Sequence, residues 1–341
     1  RVLFRSLIKQ TIMKKILLAA VAALAIVGCS QNEEIEKAGE KAEINFGTVV
    51  KAGTKAAITE TDNFATFTVR AYKTEDKMVA APALSSVFMN DLLVERTLPN
   101  TEWTHTGTFY WPLSGYVQFF ATSPKQALKV TTGYPTFDYT IATADKQVDL
   151  VAANVIDAEK TENAVDLAFQ HLLTQINFSI KGDTEDFTYT VTKLELKGAK
   201  DKSTFTFDGS NTIGSWGTPT VSAANVSYIY DEASVTVAPV KDLDLKSDFE
   251  TTDNALFMLM PQTLTDVTLE ITYSAAPTSD LTAKTFDGVK TVNLTGAWEM
   301  GKSIRYTLKL TSDAADITFN PSVSGWGDET PGTNTNPVTK P

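Results

Sequence analysis

From Glu43 onward, large apolar residues recur at every second position. Phe67-Thr68-Val69-Arg70-Ala71 alternates, as do Val267-Thr268-Leu269-Glu270-Ile271-Thr272-Tyr273 and Ile304-Arg305-Tyr306-Thr307-Leu308-Lys309-Leu310. A period of two with β-branched and aromatic residues on one parity predicts strands with one buried face. Ala255-Leu256-Phe257-Met258-Leu259-Met260 is continuously apolar and ends at Pro261, which predicts a strand buried on both sides. Asp208-Gly209-Ser210-Asn211, Ala276-Pro277-Thr278-Ser279 and Asp287-Gly288 carry turn chemistry and predict breaks between strands. Strong helical stripes are few, so the pattern predicts an all-β chain of antiparallel β-sandwich type. It holds more strands than one sandwich of about 100 residues accommodates, so two domains are expected. The polar stretch Asp157 to Asn163 places the boundary, giving domains at 43–160 and 161–326. The Thr, Asn and Pro of 327–341 bury too little apolar surface to order themselves and are expected to form a flexible tail.

The alternation slips once. In Val165 to Ile180 the large apolar residues fall on odd numbers up to Phe169 and on even numbers from Leu172. A bulge or kink near Gln170-His171 would produce that. His171 is then either a ligand or base, or a histidine capping the kink, and the capping role is the simpler one. The other histidine, His105, stands at no metal-ligand spacing from it.

The N-terminus departs from the strand pattern. Met13-Lys14-Lys15 precedes an apolar run from Ile16 to Val27, followed by Gly28-Cys29. A charged segment, an apolar segment and a small residue before a cut make a secretory signal. The run is about 12 residues, short of the roughly 20 that span a bilayer. Leu24-Ala25-Ile26-Val27-Gly28-Cys29 resembles a bacterial lipobox, whose cysteine is acylated and becomes the new N-terminus. Residues 1–28 are therefore expected to be an upstream extension plus signal peptide, with Arg1 to Ile12 preceding a plausible start methionine. Residues 29–42 are expected to be a lipidated linker. Its run Ser30-Gln31-Asn32-Glu33-Glu34 resembles the surface-export signal of Bacteroidetes lipoproteins.

Charge and chemistry narrow the function by exclusion. The 341 residues carry a formal net charge of -11. The stretch before Cys29 holds Arg1, Arg5, Lys9, Lys14 and Lys15 and no acid, so its removal leaves an even more acidic chain. Such a surface argues against nucleic acid as a partner. With Cys29 the one cysteine, neither an internal disulfide nor a cysteine-based zinc site is expected. The sequence has no glycine-rich phosphate loop and no Gly-x-Ser-x-Gly elbow. Asp242/Asp244 and Asp248/Glu250 lack the continuation of a calcium loop and read as solvated charges. No cofactor, no metal and no catalytic group is assigned, and the chain is not expected to be an enzyme. The remaining candidates are aromatic: Trp103, Tyr110 and Trp111 would serve as core or as a sugar platform, with core favoured.

Four segments in order resemble the fimbrillin family, the type V pilins and accessory lipoproteins of Bacteroidetes. They are Trp103 to Pro124, Val165 to Ile180, Phe257-x-Leu259-x-Pro261, and Ile317-Thr318-Phe319 through Gly325-Trp326-Gly327. The resemblance implies two tandem transthyretin-like antiparallel sandwiches. It also implies proteolytic removal of the first strand after lipoprotein export, and filling of the vacated groove by a C-terminal strand of the next subunit. The residues themselves carry a matching hint. Ile44, Phe46 and Val50 of the first strand and Ile317, Phe319 and Val323 near the end share the spacing Ile-x-Phe-x-x-x-Val. In a strand these side chains lie on one face. Burying three of them contributes roughly 1.5–3 kcal/mol each, and β-augmentation adds main-chain bonds. Family stalk pilins are cut after a basic residue following the first strand. Here no arginine lies between Arg5 and Arg70, and the available sites are Lys51 and Lys55. The expected function is a structural or adhesive subunit of a cell-surface pilus. Expected partners are other pilin subunits, the outer membrane through the lipid, and a host or bacterial surface ligand. The expected location is the outer-membrane surface and its fimbria. The alternative is a surface glycan-binding lipoprotein of a polysaccharide-uptake system.

Overall fold

The structure is a computed structural model that describes residues 42–50, 64–81, 83–130, 133–209, 213–223, 226–230, 235–237, 257–313, 315 and 317–325. Within them the chain is all-β, with single 3-10 turns at Met78–Ala80 and Ala144–Lys146. The strands of the first half are β1 (Phe46–Val50), β2 (Thr66–Thr74), β3 (Val87–Glu95), β4 (Thr104–His105), β5 (Tyr116–Ser123), β6 (Thr136–Thr140), β7 (Val151–Ala158) and β8 (Val165–His171). Next come β9 (Thr174–Gly182), β10 (Phe187–Lys197), β11 (Lys202–Phe207), β12 (Gly214–Trp216), β13 (Ser227–Tyr230) and β14 (Val235–Val237). The last are β15 (Phe257–Leu259), β16 (Gln262–Thr263), β17 (Val267–Pro277), β18 (Phe286–Leu294), β19 (Ala297–Trp298), β20 (Lys302–Leu310) and β21 (Thr318–Gly325).

Each predicted alternation forms a strand: β2, β17 and β20 contain the three segments read from the sequence. The apolar run before Pro261 contains β15, whose three residues are all buried. One expected break does not occur. Asp287-Gly288 lies inside β18, while the chain reverses earlier, between Pro277 and Phe286. Among the described residues β18 pairs only with β17, and an edge strand tolerates a glycine that a central strand would not. Packing does not demand the glycine, since a Cβ there would meet the Phe286 ring at an ordinary 3.6 Å.

Two units form. The small one comprises 42–44, 108–111 and 160–162 of the described residues, and the large one holds every strand. In the small unit Ile44 N–H donates to Phe109 O at 2.8 Å and Trp111 N–H to Ala42 O at 3.0 Å, with Glu43 bridged antiparallel to Tyr110.

In the large unit a seven-stranded sheet runs β1-β8-β7-β5-β2-β3-β4. A second sheet runs β13-β10-β17-β18 with β14 also on β10, and a third runs β15-β9-β20-β21. β12-β11-β6 and β16-β19 complete the set. The expected changeover between domains lies at 158–163, and strand pairing carries the first sheet on through β8 to His171. There the apolar parity slips. The chain leaves the seven-stranded sheet at His171 and enters the β9 sheet at Thr174. The phase change read from the sequence is thus a change of sheet.

β5, in the middle of the seven-stranded sheet, is buried on both faces. Adjacent Phe119 and Phe120 of β5 point opposite ways, as strand alternation requires, and both are fully buried. Phe120 packs 5.2 Å from Phe207, in a continuous core that also takes in Phe137, Phe178, Tyr273 and Tyr306. Phe119 faces the aromatic cluster that receives β1.

Candidate assembly site at the chain ends

β1 is an edge strand. Among the described residues it pairs only with β8, in parallel, with Phe46 opposite Val165, Gly47 opposite Asp166 and Val50 opposite Phe169. Val165, Leu167 and Phe169 of β8 are buried, while Asp166 and Ala168 face out. Phe46 joins that inner face and is 5% exposed. Its ring meets Phe67, Phe119 and His105 edge-on, with centroids 6.1, 6.0 and 5.8 Å away. Phe67 in turn stacks on Phe64 at 5.9 Å, Phe169 meets Phe64 edge-on at 4.8 Å and Phe67 at a tilt, and Phe67 lies 4.8 Å from Trp103. β2, β4 and β5 thus present an aromatic pocket into which β1 inserts one ring, burial worth roughly 1.5–3 kcal/mol. Ile44, in the small unit, is fully buried. Val50 takes its strand position opposite Phe169.

The other chain end is an edge strand as well. β21 pairs antiparallel with β20, with Phe319 opposite Leu308, Pro321 opposite Tyr306 and Val323 opposite Ile304. Among the described residues nothing pairs with its far side. Pro321 therefore sits where a missing N–H is tolerated. Ile317 is partly buried against the core, and Val323 is 47% exposed. The turn before β21 is fastened: Tyr273 Oη donates to Thr311 O at 3.0 Å, Thr285 Oγ1 donates to Ser312 O, and Ser312 N–H donates to Asp183 Oδ2 at 3.3 Å.

The structure places Phe46 and Val50 on one edge strand and Phe319 and Val323 on an edge strand of a different sheet, with Ile44 and Ile317 just before those strands, and β1 and β21 are not paired with each other. Cys29, Lys51 and Lys55 lie outside the described residues, as do the leader, the linker up to 41 and the tail.

The other polar and aromatic candidates fall into the interior. His171 Nδ1 lies 2.8 Å from Asp149 Oδ2, and both side chains are almost wholly buried. This pair holds the end of β8 against the start of β7, where Val151 is opposite His171. The partner could not be read from the sequence, because Asp149 stands 22 residues away among ordinary loop residues. Trp103 is buried, with the Arg96 guanidinium 4.8 Å above its ring. Trp111 is buried too, and Tyr110 alone of the three is exposed. A sugar platform built on Trp103 and Trp111 has no accessible indole face to use. Gly47 is the residue that sequence reasoning passed over. A Cβ there would lie 2.5 Å from Asp166 Oδ1, so the glycine lets the carboxylate lie across β1.

A family profile described as fimbrillin-like matches residues 51–326, most of the chain. The chain belongs to the fimbrillin-like family. Fimbrillin-like proteins are fimbrial structural proteins and not enzymes. Among curated proteins, this fimbrillin is 24% identical to fimbrium subunit Fim1C of Phocaeicola vulgatus, covering 92% of this chain and 97% of that one. Its fold is similar to a crystal structure of a fimbrial protein from Bacteroides vulgatus, with a TM-score of 0.66, 20% identity, and 83% and 99% of the two chains covered. It is also similar to a candidate cell adhesion protein from Bacteroides uniformis, with a TM-score of 0.50, 16% identity, and 84% and 99% covered.

Proposed function

We propose that this fimbrillin is a structural or adhesive subunit of a cell-surface fimbrium, exported as a lipoprotein through Cys29 and assembled by donor-strand exchange. The observation that carries the reading is the pairing of two edge strands with one side-chain pattern. β1 occupies an aromatic pocket, while β21 repeats its Ile-x-Phe-x-x-x-Val spacing and leaves Val323 half exposed on its own subunit. Cleavage at Lys51 or Lys55 would free the segment bearing Ile44, Phe46 and Val50. Ile317, Phe319 and Val323 of another copy would then take the vacated positions beside β8. Phe319 takes the place of Phe46 in the Phe67–Phe119 pocket, and the ladder to β8 is restored. Uncut, the same chain stays at the membrane as a lipid-held anchor. Family membership supports a fimbrial partner, since a relative is itself a fimbrium subunit.

We also place two transthyretin-like sandwiches in the chain, the first carrying the β1 groove and the second carrying β21. The sheet change at His171–Thr174 supports putting their junction there. Trypsin treatment followed by detergent gel electrophoresis without boiling tests the assembly account. A ladder of multimers whose N-terminus is Ala52 or Ala56 is expected. A trimmed product that stays monomeric, or a ladder formed equally well after Ile317→Asp and Phe319→Asp, contradicts it. A saturable signal on a glycan array would instead favour the glycan-binding alternative.

A further inference from the structure

The backbone of β1 places a restriction on whatever strand replaces it. Val165 N–H donates to Asn45 O at 2.7 Å. Within a strand the N–H and C=O of one residue point to the same side, and successive residues alternate. Asn45, Gly47 and Val49 therefore turn their main-chain groups toward β8. Phe46, Thr48 and Val50 turn theirs to the open edge. A proline costs no ladder bond at the second set and costs one at the first.

Side chains narrow the choice further. The pocket of Phe67, Phe119 and His105 holds an aromatic ring at position 46. Phe319 fills it when residue 317 takes the place of 44. Pro321 then stands at Thr48, a position facing the open edge. A slip of one residue puts Pro321 at a position that must donate, and turns Phe319 outward. A slip of two puts Ile317 or Pro321 into the ring pocket.

In the remaining register Asn320 stands where Gly47 now is, directly opposite Asp166. Asp166 faces out, and its Oδ1 lies 2.5 Å from where a Cβ at position 47 would stand, so the carboxylate must turn aside to admit Asn320 and is left beside its amide. Among the described residues it has no hydrogen-bond or ion-pair partner. We propose that Asp166 is a specificity residue of the groove, accepting a hydrogen bond from the Asn320 amide of a second copy of this chain and rejecting a strand with an acid there. This rests on the donor-strand reading above and adds a register and a residue pair to it. Neutral amide and carboxylate are complementary across the strand pair, while two carboxylates directly opposite repel.

The test uses full-length chains trimmed with trypsin, with the rate of detergent-resistant multimer formation as the readout. Asn320→Asp is expected to slow assembly about two- to five-fold. Combining it with Asp166→Lys is expected to restore the rate. Asn320→Asp assembling at the unmodified rate, or staying equally slow beside Asp166→Lys, overturns the Asp166 assignment alone. Failure of the unmodified trimmed chain to form multimers overturns the donor-strand reading, and the register with it.

Discussion

At the scale of single residues, the interior polar groups are the most exposed to test. Removing one partner of a buried hydrogen bond leaves the other unsatisfied, at a cost of about 1–3 kcal/mol. His171→Ala is therefore expected to lower the urea midpoint sharply. Asp149→Asn, which keeps an oxygen to accept from the imidazole, should lower it less. Equal, small effects would mean that the pair does not hold β8 to β7. Tyr306 offers a second test. It is 1% exposed, and Trp298 Nε1–H donates to its hydroxyl at 2.9 Å. Burial pushes its phenol up to about 12, against the opposing effect of the Trp298 hydrogen bond. The folded state thus holds the proton where the unfolded chain would release it. This contribution is fully present below about pH 10 and lost as pH rises toward 12. Urea midpoints should fall between about pH 10 and pH 12, and fall less steeply in Tyr306→Phe. Tyr139, pushed up by burial to about 12, supplies part of the slope that persists. Neither contact was legible beforehand. A period-two pattern says which face a tyrosine takes and nothing about which indole it meets, and His171 finds its acid across a fold that brings β7 and β8 together.

At the scale of elements, the sequence was most legible where one face of a strand is buried and the other wet. β2, β17 and β20 follow directly from alternation, because burial selects one parity and solvent the other. The parity slip after Phe169 also had physical content, marking the passage between two sheets. Asp287-Gly288 misled because turn chemistry is local and edge position is not. A glycine tolerated in β18 looks in sequence like a glycine required in a turn. β1 carries a prediction of its own. Thr48 turns its N–H to the open edge and Gly47 turns its N–H to β8. Thr48→Pro should leave the untrimmed chain within about 1 kcal/mol of the parent, since edge strands accept proline. Gly47→Pro removes a ladder bond and leaves an acceptor unmet, a loss of about 1–3 kcal/mol. Denaturant unfolding of both variants decides the point. Equal destabilisation would contradict the assigned strand orientation and any register built on it.

At the scale of the whole molecule, the chain is a fimbrillin-like protein, all-β in its described residues, with an edge strand near each end of them. The lipobox-like segment ending at Cys29, and Lys51 and Lys55 as proposed cut sites, are short motifs that lie outside the described residues. The groove was not legible in the sequence, because its walls come from β2, β4, β5 and β8, more than 100 residues apart from first to last. What the sequence did carry was the repeated Ile-x-Phe-x-x-x-Val, and its weight rises once both copies prove to lie on open edges. The most direct measurement is a thiol cross-link that distinguishes the two homes of β21. Ser322 is opposite Arg305 within its own subunit, and in the register argued above it would be opposite Ala168 of another. Trypsin-trimmed chains carrying Ala168→Cys are mixed with chains carrying Ser322→Cys and treated with a short bifunctional thiol reagent. The account predicts covalent dimers between the two, absent before trimming. It is contradicted if no such dimer forms while Arg305→Cys and Ser322→Cys, placed together in one trimmed chain, still link within that chain.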